Sequence, residues 1–135
     1  MGIALTKNSI DLGINTNNGP AMLAFYRDLL GLKYVGEMGM PGGGVMHRMM
    51  CGDSMIKLRV MPDTPALQPA TPGGIQSAAG FRYWTMTISN LTEMVKACAD
   101  AGTPVVVPER EFRPGVRIAI VTDPDGNWVE FLSLG

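Results

Sequence analysis

The sequence predicts an α+β fold built from two βαβββ modules, and three observations carry that prediction. The chain repeats itself: IDLGINTNN at 10–18 lies 72 residues before RYWTMTISN at 82–90, each a strand-like alternation closing on an asparagine, Asn18 or Asn90. Each copy is followed by a helical stretch, PAMLAFYRDLLG (20–31) or LTEMVKACADAG (91–102), and then by three more extended stretches. With 135 residues, 46% hydrophobic and 17% charged, the chain is long enough to bury a core and too apolar for a disordered tail.

Taken in order, the first strand puts Ile10, Leu12 and Ile14 on one face and Asp11, Gly13 and Asn15 on the other. Pro20 suits the first turn of the first helix, whose apolar stripe is Met22, Phe25, Tyr26 and Leu29. Gly31 fits the left-handed position that ends it. KYVGE (33–37), VMHRMMC (45–51) and SMIKLRVM (54–61) supply three more strands, with a glycine-rich loop at 36–44. In the second copy, Asn90 and Glu93 have capping-box spacing, and Leu91, Met94, Val95 and Cys98 form the stripe before Gly102. PVVVPE (104–109), VRIAIVT (116–122) and NWVEFLSL (127–134) complete it. The expected organisation is a single domain over 1–135: module one about 1–61, an ordered but irregular linker about 62–80, and module two about 81–135.

Composition removes several classes of function. A formal net charge of −1 gives no electrostatic footprint for nucleic acid. No apolar run approaches the roughly 20 residues of a membrane helix, and the N-terminus lacks a secretory pattern. Cys51 and Cys98 cannot make a disulfide framework or a CxxC motif, and both read as structural. A cytoplasmic protein with no nucleic-acid or membrane partner is the expectation. The 11 methionines suit either core filling or an adaptable apolar pocket.

Face analysis then separates candidates. Ile56, Leu58 and Val60 oppose Met55, Lys57 and Arg59; Trp84, Met86 and Ile88 oppose Tyr83, Thr85 and Thr87; Val129 and Phe131 oppose Trp128, Glu130 and Leu132. The apolar faces belong under the helices. The opposite faces, mixing Gly13, Tyr83, Trp128 and Leu132 with a few ionisable groups, read as a pocket wall more than as a solvated surface.

The stretch DLGINTNNGPAMLAFYRDLLGL, with Phe25, Tyr26, Leu30, Gly31 and Leu32, resembles the N-terminal motif of the vicinal oxygen chelate superfamily, the glyoxalase, bleomycin-resistance and extradiol-dioxygenase group. TDPDGNWVEF (122–131) resembles the same group's C-terminal hairpin. The resemblance implies two βαβββ modules whose curved sheets enclose a cavity, a small-molecule ligand, and a homodimer. It also implies four ligand positions for a metal, which fall on Asp11, Lys57, Tyr83 and Glu130. These are poor metal ligands as a set. A charged lysine has no lone pair, and tyrosine must lose a proton with a pKa of about 10. Two carboxylates without an imidazole make at best a weak oxygen site. The expectation is therefore no metal and no cofactor.

A positive charge beside two carboxylates is electrostatically tolerable where either sign alone would be costly. Carboxylate, ammonium and phenol together make a plausible acid–base set. The leading expectation is a metal-independent enzyme of isomerase, lyase, cyclase or hydrolase type acting on a small, largely apolar molecule. Glu130 or Asp11 moves a proton, and Lys57 and Tyr83 polarise an oxygen. Asn15, Arg59, Thr85, Trp128 and His47, the sole histidine, are the expected substrate contacts. Two alternatives stand beside it: a ligand-sequestering protein of the antibiotic-resistance type, and a glyoxalase-like metalloenzyme with atypical ligands. Arg48, Arg113 and Arg117 carry no motif. GGGV at 42–45 lacks the lysine and helix start of a phosphate loop, and Asp123-Pro124-Asp125-Gly126 reads as a tight turn.

Overall fold

A computed structural model describes residues 1–69, 71 and 74–135. The chain forms two compact units, Met1–Leu67 and Gln68–Gly135, each a βαβββ module. In module one, β1 (Leu12–Thr16) is followed by α1 (Gly19–Leu23), a π-helical segment (Ala24–Leu29), β2 (Lys33–Gly39), β3 (Val45–Cys51) and β4 (Ser54–Val60). Module two runs β5 (Tyr83–Thr87), α2 (Leu91–Asp100), β6 (Val105–Arg113), β7 (Val116–Thr122) and β8 (Trp128–Leu134). Both sheets have the same plan: β1-β4-β3-β2 and β5-β8-β7-β6, with the first strand parallel to the last and the others antiparallel. The 72-residue repeat is thus a repeat of topology. Ala70, Pro72 and Gly73 of the expected linker lie outside the described residues. Among the described residues no helix is long and apolar enough to cross a membrane.

The predicted alternation sets the core. In module one, Ile56, Leu58 and Met49 are buried beside Met22, Phe25 and Tyr26 of the helical segment. In module two, Val129, Phe131, Met86, Leu91 and Cys98 are buried. Burying these side chains fully is worth about 1.5–3 kcal/mol each, the dominant favourable contribution to folding. Ile10 departs from its expected face: it precedes β1 and is 80% exposed. Strand β7 also departs from simple alternation, with Ile118, Ala119, Ile120 and Val121 all buried. Its run of small and β-branched residues suits a strand covered on both faces.

Two local details differ from the sequence reading. The first helix widens after one turn: Leu30 N–H bonds the carbonyl of Phe25 (2.9 Å), five residues back. The wider turn coincides with inward burial of two adjacent aromatics, Phe25 and Tyr26, whose rings meet edge to face at 4.7 Å. At the start of α2, Asn90 makes no side-chain capping bond, despite its spacing from Glu93. Gly31 and Gly102, by contrast, take positive φ (74° and 79°), the left-handed geometry expected at helix ends.

The hairpin between β7 and β8 depends on one aspartate. Asp123 is buried; its carboxylate accepts the backbone N–H groups of Asp125 and Asn127 (2.9 Å each) and the Asn127 side-chain amide (2.8 Å). Asp125, two residues on, is exposed. We expect Asp123→Ala to lower unfolding free energy by about 2–3 kcal/mol, since it strands three partly buried donors and empties a buried site. Asp125→Ala should change it by less than about 0.5 kcal/mol. Urea denaturation of both variants checks the contrast, and equal effects would contradict this account of the turn.

Candidate functional site

In module one the helical segment lies over one face of the sheet, where Gly19, Pro20 and Leu23 line a cleft of about 430 Å³ with Val45, His47 and Val60. Directly paired residues share a face, so the register assigns the other side chains. Lys57 lies opposite Arg48 on β3 and Gly13 on β1; Arg59 lies opposite Met46 and Asn15; Met55 lies opposite Met50. All eight therefore occupy the helix-free face. Asn15, Lys57 and Arg59 are brought together there, and Arg59 Nη1 donates to Asn15 Oδ1 (3.0 Å).

His47 is not among them. It pairs with Leu58 and so shares the helix-covered face, where the Tyr34 hydroxyl and His47 Nδ1 lie 2.8 Å apart. The sequence left the face of His47 open; strand register places it across the sheet from Lys57.

Asp11 sits just before β1. Its Oδ1 accepts bonds from Lys7 Nζ (2.7 Å) and the Met55 backbone N–H (2.8 Å). The Lys7 hydrogen bond, then the Met55 N–H, hold its carboxyl below the usual range, with Lys57 a lesser influence. Asp11 is a strut tying the N-terminal segment to the start of β4. Lys57 is half-buried, and among the described residues of module one no carboxylate oxygen comes within 4 Å of its ammonium. The same holds for Arg48 and Arg59.

In module two, Tyr83, Thr85 and Thr87 pair with Trp128, Glu130 and Leu132, so the predicted face is real. Thr85 Oγ1 donates to Glu130 Oε1 (2.7 Å). Across the other edge of β8, Glu130 faces Ile120, which is buried. The carboxylate therefore has one hydroxyl donor on one side and hydrocarbon on the other. Tyr83 is 46% exposed.

The four positions that the resemblance assigns to a metal do not fit one. Lys57 offers an ammonium with no lone pair, and Asp11 Oδ1 is already engaged by two donors. No three His, Cys, Asp or Glu side chains among the described residues form a metal-binding group.

Arg48 is the residue that sequence reading passed over. The signal was available: Gly52 and Asp53 form a two-residue turn, with Cys51 paired to Ser54. Counting outward from that turn sets Met50 against Met55 and Arg48 against Lys57.

The Asp11 strut has a measurable consequence. Its depressed folded-state pKa means its contribution is present above the unfolded value near 3.9 and is lost as pH falls through the folded value. Lys7→Met should raise the Asp11 pKa toward the unfolded value, and Lys57→Met should raise it less. Carboxyl-carbon NMR titration reads both; a larger shift from Lys57→Met would reverse the assignment.

Comparison with known proteins agrees with this architecture. The model of the Glyoxalase/Bleomycin resistance protein/Dioxygenase superfamily matches residues 9–131. No curated protein matches the chain by sequence. Among solved structures, a glyoxalase family protein from Bacillus cereus is similar at a TM-score of 0.79 and 19% identity, over 98% of this chain and 100% of that one. The antibiotic-binding protein TnmS3 from Streptomyces sp. CB03234 aligns at a TM-score of 0.71 and 15% identity, over 98% and 100% of the two chains. A lactoylglutathione lyase from Agrobacterium tumefaciens aligns at 0.64 and 22% identity, over 93% and 92%. At these identities the structural likenesses speak to fold, whereas the family match spans nearly the whole sequence. With its paired βαβββ modules and that match, the chain belongs to the Glyoxalase/Bleomycin resistance protein/Dioxygenase superfamily.

Proposed function

We propose that this protein is a metal-independent enzyme that binds a small, largely apolar organic molecule and moves a proton on it. Glu130 is the proton carrier, Lys57 stabilises negative charge developing on a substrate oxygen, and Tyr83 assists as a hydrogen-bond donor. Asn15, Arg59, Thr85 and Trp128 position the molecule. Assembly as a homodimer, which the family resemblance suggests, belongs to the same reading.

The observation that carries the proposal is the state of Lys57. An inert replacement for a lost metal would be neutralised by a nearby carboxylate. Instead, Asp11 is taken up by Lys7 and Met55, and Lys57 has no ion-pair partner within its module. A half-buried lysine with no carboxylate within 4 Å in its own module is available to an oxyanion or enolate, and such electrostatic stabilisation is among the largest contributions a site can make. Glu130 has complementary features: an ionisable group oriented by Thr85 at 2.7 Å and flanked by the buried Ile120. A hydrogen bond that fixes a carboxylate while hydrocarbon limits its hydration suits a general base.

Met46, Met50 and Met55 are half-buried on the same face as Lys57 and give the ligand surface an adaptable apolar character. That observation also favours the second reading, sequestration of an apolar compound without chemical change.

The test is turnover of a panel of small carbonyl and epoxide compounds, with products followed by NMR. Glu130→Gln keeps shape and removes basicity, and should lower kcat at least about 100-fold. Lys57→Met should lower it by a similar factor. Asp11→Asn should have the smallest effect. Wild-type turnover in Glu130→Gln would refute proton transfer by this residue. A compound that binds tightly and is recovered unchanged would favour sequestration.

A further inference from the structure

The helix-free face of module one contains an unexplained arrangement of charge. Arg48 on β3 and Lys57 on β4 are direct cross-strand partners, and Arg59 lies two residues along β4. Like charges set opposite each other on a sheet destabilise it. None of the three has a carboxylate within 4 Å among the described residues of module one. Arg48 also has a buried Nε with no hydrogen-bond acceptor. A charged donor left in that state costs free energy that packing alone does not return.

The backbone beside it accommodates the guanidinium. Gly36 faces Arg48 across the β2–β3 pairing at a register shift, with φ of 134°. A Cβ at that position would lie 3.2 Å from Arg48 Nη2, closer than is comfortable. The glycine supplies both the conformation and the space that let the arginine lie against the sheet. Met46 and Met50, two residues to either side of Arg48, flank it on the same face. A fixed planar donor, a neighbouring ammonium and an apolar surround make a receptor for an anionic group on a hydrocarbon frame.

We infer that Arg48 binds an acidic group of the ligand, so that the substrate is a small organic anion, while the neighbouring Lys57 is left for the reacting oxygen. This deepens the proposed function and rests on the same face being the ligand surface. Arg48 is a binding residue here, distinct from the proton carrier. The arriving anion offsets the repulsion between the two cations.

The experiment uses the full-length protein labelled with ¹³C at the methionine methyls. It is titrated with phenylacetate, with phenylphosphonate and with the neutral phenylacetamide. We expect saturable shifts of the Met46 and Met50 methyls with at least one acid, and about tenfold weaker binding of the amide. Arg48→Gln should weaken that acid about tenfold and leave the amide unchanged, without lowering the unfolding temperature of the free protein. Equal affinity for acid and amide would overturn the inference. So would unchanged acid binding in Arg48→Gln, or no saturable shift from either acid. A fall in unfolding temperature would instead mark Arg48 as structural and likewise overturn it. The titration requires no turnover. Failure of the proton-transfer reading is seen only in Glu130→Gln kinetics, so the two can fail separately.

Discussion

A four-stranded sheet carrying one helix buries side chains beneath that helix, and alternation sends every second residue to the opposite face. That geometric constraint organises each module. Once Ile56 and Leu58 are committed to the core, Lys57 and Arg59 have no choice of side. A one-residue slip in pairing would bury two cations and expose two core aliphatics, a change far too costly to compete. Apolar burial therefore protects the register, and register determines which polar groups meet. The chemistry of the helix-free face is a consequence of what is packed on the other one.

The modules share topology but differ in the charges they present. Module one sets Lys57, Arg48 and Arg59 on adjacent strands, while the equivalent face of module two holds Glu130 with Thr85, Tyr83 and Trp128. Duplication followed by divergence would produce this pattern: the apolar positions are restrained by packing, and the helix-free positions are at liberty to change. Strand β7 adds to the contrast, because Ile118 and Ile120 are buried on the face that carries Glu130. Glu130 thus has a buried isoleucine directly opposite it, where Lys57 has Arg48.

Much of the fold was legible because its signals are local and repeated. The 72-residue shift, Gly31 and Gly102 with positive φ, and the alternation in 55–60 and 128–132 each have a direct physical cause. What was not legible depended on partners brought from elsewhere. Asn90 has capping-box spacing, yet spacing does not guarantee the bond. Asp11 has the right position for a metal ligand, but Lys7, four residues away on the N-terminal segment, captures it. The π-helical widening at Ala24–Leu29 has no distinct sequence mark beyond the adjacent aromatics Phe25 and Tyr26. For His47, alternation defined two faces without saying which one was its own, and the pairing with Leu58 decided.

The residues at the four positions that the resemblance assigns to a metal differ from a metal site in where their charge compensation comes from. A divalent ion would neutralise carboxylates placed around it and polarise an oxygen at once. Lys7 and a backbone N–H satisfy Asp11, so its compensation comes from outside the helix-free face. Lys57 is thereby left with no carboxylate within 4 Å in its own module. Had Asp11 bonded Lys57 instead, the ammonium would already hold an anion, and a substrate oxygen would have to compete with a carboxylate for it. The modest contact at the N-terminal segment is therefore a condition for the cationic character of the sheet face, and that character bears on any ligand the protein binds.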